Sequence, residues 1–269
     1  MSTTRYVKFR KYLLRNDAEA ALLLYDYFLE MPKLNSIVLR RTLYYIKSIF
    51  RPAIALLFAF KLGIILPSKR INADFLIFRQ GHGMHATKIY LIKDLDGRYK
   101  IIKKYPNAIE LEKELAFIHQ YQGKSKTIAF PDLRKVDSTT AEMSFLKSMN
   151  LAEQIRSGEI STRHIPNIYK RMAEALNDLY RGENEIRCLI NGDLGPTNVY
   201  IINGKFHLID FSDSHIYYKE YDTFNFLRRL LYYYSEKEKS DMLEGYFNKQ
   251  DVARYNKHRL ALKVKKHYE

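Results

Sequence analysis

The stretch that most narrows what this chain can become is Leu189-Ile190-Asn191-Gly192-Asp193-Leu194-Gly195-Pro196-Thr197-Asn198-Val199-Tyr200, followed closely by Leu208-Ile209-Asp210-Phe211. An apolar run delivers a polar loop carrying Asp193 and Asn198. Apolar character resumes over Val199 to Ile202, breaks at Asn203-Gly204, and returns over Phe206 to Ile209. Asn-Gly adopts positive φ cheaply and selects a tight two-residue hairpin. The spacing therefore predicts a hairpin with Asn198 and Asp210 near the same end and Asp193 in the loop that enters it. Asp and Asn are also common in surface turns that do nothing further. Two halves in register make that blander reading the weaker one.

Asp, four residues, Asn, then two apolar residues and Asp-Phe is the spacing that phosphoryl transfer requires. One carboxylate orients the acceptor hydroxyl, a side-chain amide holds a metal, and a second carboxylate bridges metal to the nucleotide phosphates. On these residues the chain resembles the protein-kinase-like phosphotransferases. Its NGDLGPTN run is more similar to the HGDLxxxN loop of aminoglycoside, choline and lipopolysaccharide-core kinases than to the HRDLxxxN loop of protein kinases. Asn191 replaces the usual His, and Ser212 stands where a protein kinase has Gly. The resemblance covers about residues 75 to 235. It implies an α+β, two-lobed protein-kinase-like fold, with ATP as donor, Asp193 orienting the acceptor, and Asn198 and Asp210 holding Mg²⁺.

Upstream, alternation over Phe75 to Phe78 and Ile89 to Ile92 predicts strands on either side of Gly81-His82-Gly83. A glycine loop between strands lets backbone N–H groups approach phosphate oxygens. It lacks the Gly-Lys-Ser/Thr of a Walker A loop. By resemblance Gly81 and Gly83 cover the nucleotide, Lys103 pairs its phosphates, and Glu114 positions Lys103. Lys104 and Glu110 are the alternatives, since only one of two adjacent strand residues can point inward; Glu112 reads as solvated helix face. Asp94 to Gly97 reads as a turn, Tyr99 to Tyr105 as a strand and Ala108 to Gln122 as a helix. Phe130 to Val136 and Ala141 to Lys147 read as strands, and Leu151 to Arg156 and Ile165 to Tyr180 as helices. Only eleven residues separate Asp210 from Asp222, too few for the peptide-holding segment of a protein kinase. Asp222 is expected to cap the helix Phe224 to Tyr233 and to brace the Asp193 loop; Asp213, His82 and His85 are further residues to test.

The remainder divides into a basic helical N-terminal extension (1–70), a nucleotide-binding small lobe (71–150) and a helical catalytic lobe with a basic tail (151–269). The extension should hold a helix from Asn16 or Asp17 to Glu30 and another after Ser36. The net charge of +15 is concentrated at the ends: residues 1–70 carry thirteen Lys and Arg against four Asp and Glu, and residues 252–269 six against one. The middle is nearly neutral, so the ends suit an anionic surface. Ala53 to Leu66 is apolar, but fourteen residues of helix reach about 21 Å, short of the roughly 30 Å hydrocarbon core. It would lie in a membrane interface or pack on the catalytic body. The single cysteine, Cys188, forms no intrachain disulfide and reads as a small buried thiol. These features suggest a cytoplasmic kinase, peripheral on the inner face of the membrane, whose partners are a nucleotide and a sugar or glycolipid acceptor, most similar to bacterial heptose or Kdo kinases. A pseudokinase scaffold, an atypical protein kinase and a nucleic-acid module remain alternatives, nucleic acid being the least expected partner.

Overall fold

A computed structural model of the chain describes residues 4–9, 12–15, 18–23, 49–50, 53, 68–71, 75–80, 87–183 and 187–231. The chain divides into two compact units, one of residues 1–30, 42–115 and 131–149, the other of residues 31–41, 116–130 and 150–269.

The first unit is built on an eight-stranded sheet. Its strands are β1 (Thr4–Phe9), β2 (Tyr12–Arg15), β3 (Ser68–Ile71), β4 (Ile77–Gln80), β5 (Lys88–Lys93), β6 (Tyr99–Lys104), β8 (Arg134–Lys135) and β9 (Thr140–Ser144); β7 (Ile128–Ala129) belongs to the second unit. They run in the order β3-β1-β2-β4-β5-β6-β9-β8, each neighbour antiparallel to the next. The β5–β6 hairpin turns at Asp94–Gly97, where Asp94 Oδ1 accepts from the Arg98 amide at 2.8 Å and Gly97 takes a φ of 78°. Leu76, Ile77, Leu91, Ile101 and Ala141 of the sheet are buried, as are Leu111 and Leu115 of the helix Ala108–Tyr121. β1 and β2 occupy residues to which the sequence reading gave no secondary structure, ahead of the helices it expected in the N-terminal extension. Thr, Tyr, Val and Phe dominate Thr4–Phe9, and such residues favour a pleated surface whatever their charged neighbours. The helix expected to reach Glu30 is described over Ala18–Leu23. Its Glu19 ties it to the sheet, accepting from Arg15 at 3.1 Å and from Lys93 and Tyr99 at 2.6 Å each.

The second unit contains the helices Leu151–Ser157, Ile165–Leu179 and Glu220–Leu230. Ile165, Ile168, Met172, Ala175, Leu176 and Leu179 are buried along one stripe of the long helix, the three-and-four spacing of a core-facing face. β10 (Arg187–Ile190) pairs antiparallel with β13 (His215–Tyr218), and β11 (Val199–Ile202) with β12 (Lys205–Leu208). β12 also pairs in parallel with β7, a strand the sequence reading missed. The strand expected over Phe130 to Val136 is reduced to β8, because Pro131 cannot donate to a ladder.

Gly81, His82, Gly83, His85, the apolar stretch after Ala53 and the tail 252–269 lie outside the described residues. No helix among the described residues is long and apolar enough to cross a membrane.

Candidate active site

The β11–β12 hairpin closes as Asn-Gly dictates. Ile202 faces Lys205 across a two-residue loop in which Asn203 has φ 51° and Gly204 φ 76°. At the opposite end, the Ile209 amide donates to the Asn198 carbonyl at 3.0 Å. Asn198 ends a short turn, Pro196–Asn198, and Asp210 follows Ile209 directly. The Asn198 side-chain amide donates to the Asp193 carbonyl at 3.3 Å. Asp193, Asn198 and Asp210 are thus gathered by one loop and one hairpin.

Asp210 has a φ of 66°, in the left-handed region where Asp is one of the few tolerated side chains. Phe211 holds this turn down. Fully buried, it stacks on Phe117 with ring centres 4.7 Å apart and meets Phe130 edge-on at 5.5 Å. Ser212, in the place of a glycine, needs no positive φ, because Asp210 supplies it; the Ser212 hydroxyl donates to Asp210 Oδ1 at 3.2 Å. Asn191 performs a bracing task at the other end. Its Oδ1 accepts from the Asp193 amide at 3.0 Å and its Nδ2 donates to the Asp210 carbonyl at 3.2 Å, so one buried amide ties both carboxylate-bearing segments together.

Beneath the loop lies Asp222, fully buried. It accepts from the Asn191 amide at 2.7 Å, the Gly192 amide at 2.9 Å and the Tyr180 hydroxyl at 2.5 Å. Burial pushes its carboxyl above the usual range, against the pull of those three donors, and pushes the Tyr180 phenol well up too. The expected brace is present. The expected cap is not: the helix begins at Glu220, Asp222 sits in its first turn, and the N-cap position is Lys219. The Asp222 side chain accepts from the loop amides and the Tyr180 hydroxyl instead. Cys188 is buried with its thiol pushed up to about 11 by desolvation, which suits a structural thiol.

Sequence reasoning missed Arg229, in the last turn of the Glu220–Leu230 helix. Its Nη2 pairs with Asp193 Oδ1, both side chains about one-third exposed. No local signal marks it, because thirty-six residues separate the partners.

In the first unit, Lys103 is buried and its Nζ donates to both Glu114 oxygens, at 2.8 and 2.7 Å. Tyr105, two residues along the same strand face, donates to Glu114 Oε2 at 2.6 Å. Lys104 is exposed, and Glu112 forms a surface pair with Lys135. Glu114 is wholly buried while Glu110 is not.

Asn198 and Asp210 offer hard oxygen donors, which fit Mg²⁺. Among the described residues no group of three His, Cys, Asp or Glu side chains forms a metal cage. Magnesium bound through one carboxylate, phosphates and water needs none.

No family model matches the chain, and no curated protein does. Solved structures of small-molecule phosphotransferases do match in part. The apo form of a thermostable aminoglycoside phosphotransferase APH(4)-Ia mutant is 12% identical with a TM-score of 0.40, covering 62% of this chain and 77% of its own. The gentamicin complex of aminoglycoside phosphotransferase APH(2'')-IIa is 13% identical with a TM-score of 0.44, covering 63% and 79%. Amicoumacin kinase hAmiN, solved with AMP-PNP and Ca²⁺, is 14% identical with a TM-score of 0.39, covering 63% and 71%. The described residues form an α+β fold of helices and sheets.

Proposed function

We propose that this chain is an ATP-dependent phosphotransferase acting on a hydroxyl of a sugar-type acceptor. The observation that carries the reading is the gathering of Asp193, Asn198 and Asp210 by one hairpin, with Asn191 bonded to both segments. In this reading the acceptor hydroxyl donates to Asp193. Its oxygen bonds the γ-phosphorus, the bond to the bridging oxygen breaks, ADP leaves with that electron pair, and the hydroxyl proton passes to the carboxylate. Asn198 and Asp210 would hold Mg²⁺, which supplies charge neutralisation on the phosphates when bound. Lys103, oriented by Glu114, would pair the nucleotide phosphates, and Gly81 and Gly83 would cover them.

The finer assignment is to a lipopolysaccharide-core or other cell-envelope glycan, by a cytoplasmic enzyme held peripherally on the inner face of the membrane. What supports it is the concentration of basic residues at the two ends of the chain around a nearly neutral middle.

The test is transfer of labelled γ-phosphate from ATP to envelope glycans, with intact-mass analysis of those glycans with and without the gene. Asp193→Ala should abolish transfer and leave Mg-ATP affinity within a few-fold, because its part is toward the acceptor. Asp210→Ala should lose nucleotide binding as well. Near-normal turnover in both variants would refute the assignment.

A further inference from the structure

The pairing of Arg229 with Asp193 has a companion at Gly195, and the two together go further than the reading on which they rest. Arg229 reaches Asp193 by passing over Gly195: a Cβ placed on that glycine would lie 2.5 Å from Arg229 Cδ and 3.0 Å from Nη1. The backbone does not ask for glycine there. Gly195 has φ −156°, extended conformation open to any residue. Its lack of a side chain serves the arginine. Arg229 occupies Asp193 Oδ1 alone, and Oδ2 has no partner among the described residues. A carboxylate that must accept one hydroxyl in one direction gains from having its other oxygen held, because misplacement of a reacting group by about 1 Å costs on the order of 100-fold in rate. The backbone is already fixed, since Asp222 receives the Asn191 and Gly192 amides. The side-chain torsions of Asp193 are what Arg229 adds.

We propose that Arg229 is the positioning residue for Asp193. It clamps Oδ1 so that Oδ2 faces the acceptor, and Gly195 is the notch through which the clamp passes. The guanidinium is anchored from a separate element: Leu227 and Leu230 of its helix are fully buried.

The probe is Mg-ATP with water as acceptor, read as ADP release, so that no glycan need be known. Arg229→Ala should lower kcat about 10- to 100-fold and leave both KM for Mg-ATP and the thermal midpoint near the parent values. Arg229→Lys should recover part of kcat, since an ammonium can reach one oxygen without the planar fork. Gly195→Ala should reproduce the loss of kcat, and the Gly195→Ala/Arg229→Ala double variant should lose no more than either single, because both remove one contact. Normal kcat in Arg229→Ala while Asp193→Ala is dead would overturn the clamp and keep the kinase reading. So would a raised KM at unchanged kcat, which would make Arg229 a nucleotide ligand, or full additivity in the double variant. An unfolded Arg229→Ala leaves Arg229→Lys and Gly195→Ala to decide by the same split. Equal ADP release by parent and Asp193→Ala would refute the kinase reading, and the clamp with it.

Discussion

Asp222 shows how much of this site depends on one carboxylate that does no chemistry. Its two oxygens receive three donors, one at Oδ1 and two at Oδ2. In Asp222→Asn the new NH₂ must face at least one N–H or O–H, leaving a buried donor unpaired. The expected loss is about 1–3 kcal/mol of unfolding free energy, measured by urea titration. Its pH dependence has a definite sign. Because burial raises the folded-state carboxyl above its unfolded value, the folded state binds the proton more tightly, and the associated stability is fully present below the ordinary carboxylate pKa. That contribution should fall as pH rises from about 4 through the raised value, and Asp222→Asn should lack the slope. Asp222 was legible in the sequence as a brace, and Glu112 as solvated helix face, but Glu110, one turn from Glu114 on the same face, stayed its alternative until burial distinguished the two. Arg229 and Tyr180 were not legible, because their partners are chosen by helix packing across dozens of residues. Asn191 was visible only as a substitution; its two bonds arise only when the loop and the hairpin fold together.

Elements whose geometry is decided locally matched the sequence closely, and those decided by distant pairing did not. Asn203-Gly204 specified its hairpin because both residues accept positive φ. β7 has two residues and pairs in parallel with a strand far along the chain, so no window of sequence could hold its signal. β1 and β2 were obscured by their Lys and Arg content, which reads as surface in either helix or strand. The glycines allow a test of the local rule. Gly204 has φ 76° and nothing near a prospective Cβ, so Gly204→Ala should cost only the left-handed penalty, about 1–2 kcal/mol. Gly192 has φ 79°, and a Cβ there would come within 2.5 Å of the Asp213 carbonyl and 2.9 Å of His215. Gly192→Ala should therefore destabilise more than Gly204→Ala in the same urea titration and should also reduce turnover, since its backbone carries Asp193. Equal costs at the two positions would mean that the loop yields where the contacts say it cannot.

For the molecule as a whole, charge distribution rather than fold bears on where the protein would work. The +15 net charge is carried by the two ends, residues 1–70 with +9 and residues 252–269 with +5, around a middle of about +1. Each basic side chain close to an anionic leaflet contributes on the order of 1 kcal/mol, and the attraction fades within a Debye length of about 8 Å at physiological salt. A handful of such contacts holds a protein at a surface without a spanning helix. Co-sedimentation with vesicles containing anionic lipid should therefore be strong at low salt and weaken steeply toward physiological salt, while zwitterionic vesicles should bind little at either. Removing residues 252–269 should shift the anionic-vesicle curve to lower salt, since six basic residues go with one acidic residue. A salt-resistant fraction should vanish in Leu57→Ser/Phe58→Ser if the apolar 53–66 stretch supplies the buried component. No vesicle binding by the parent at any salt, with that double variant failing to fold, would assign the stretch to the core. Salt-steep RNA binding in its place would assign the basic ends to a nucleic acid.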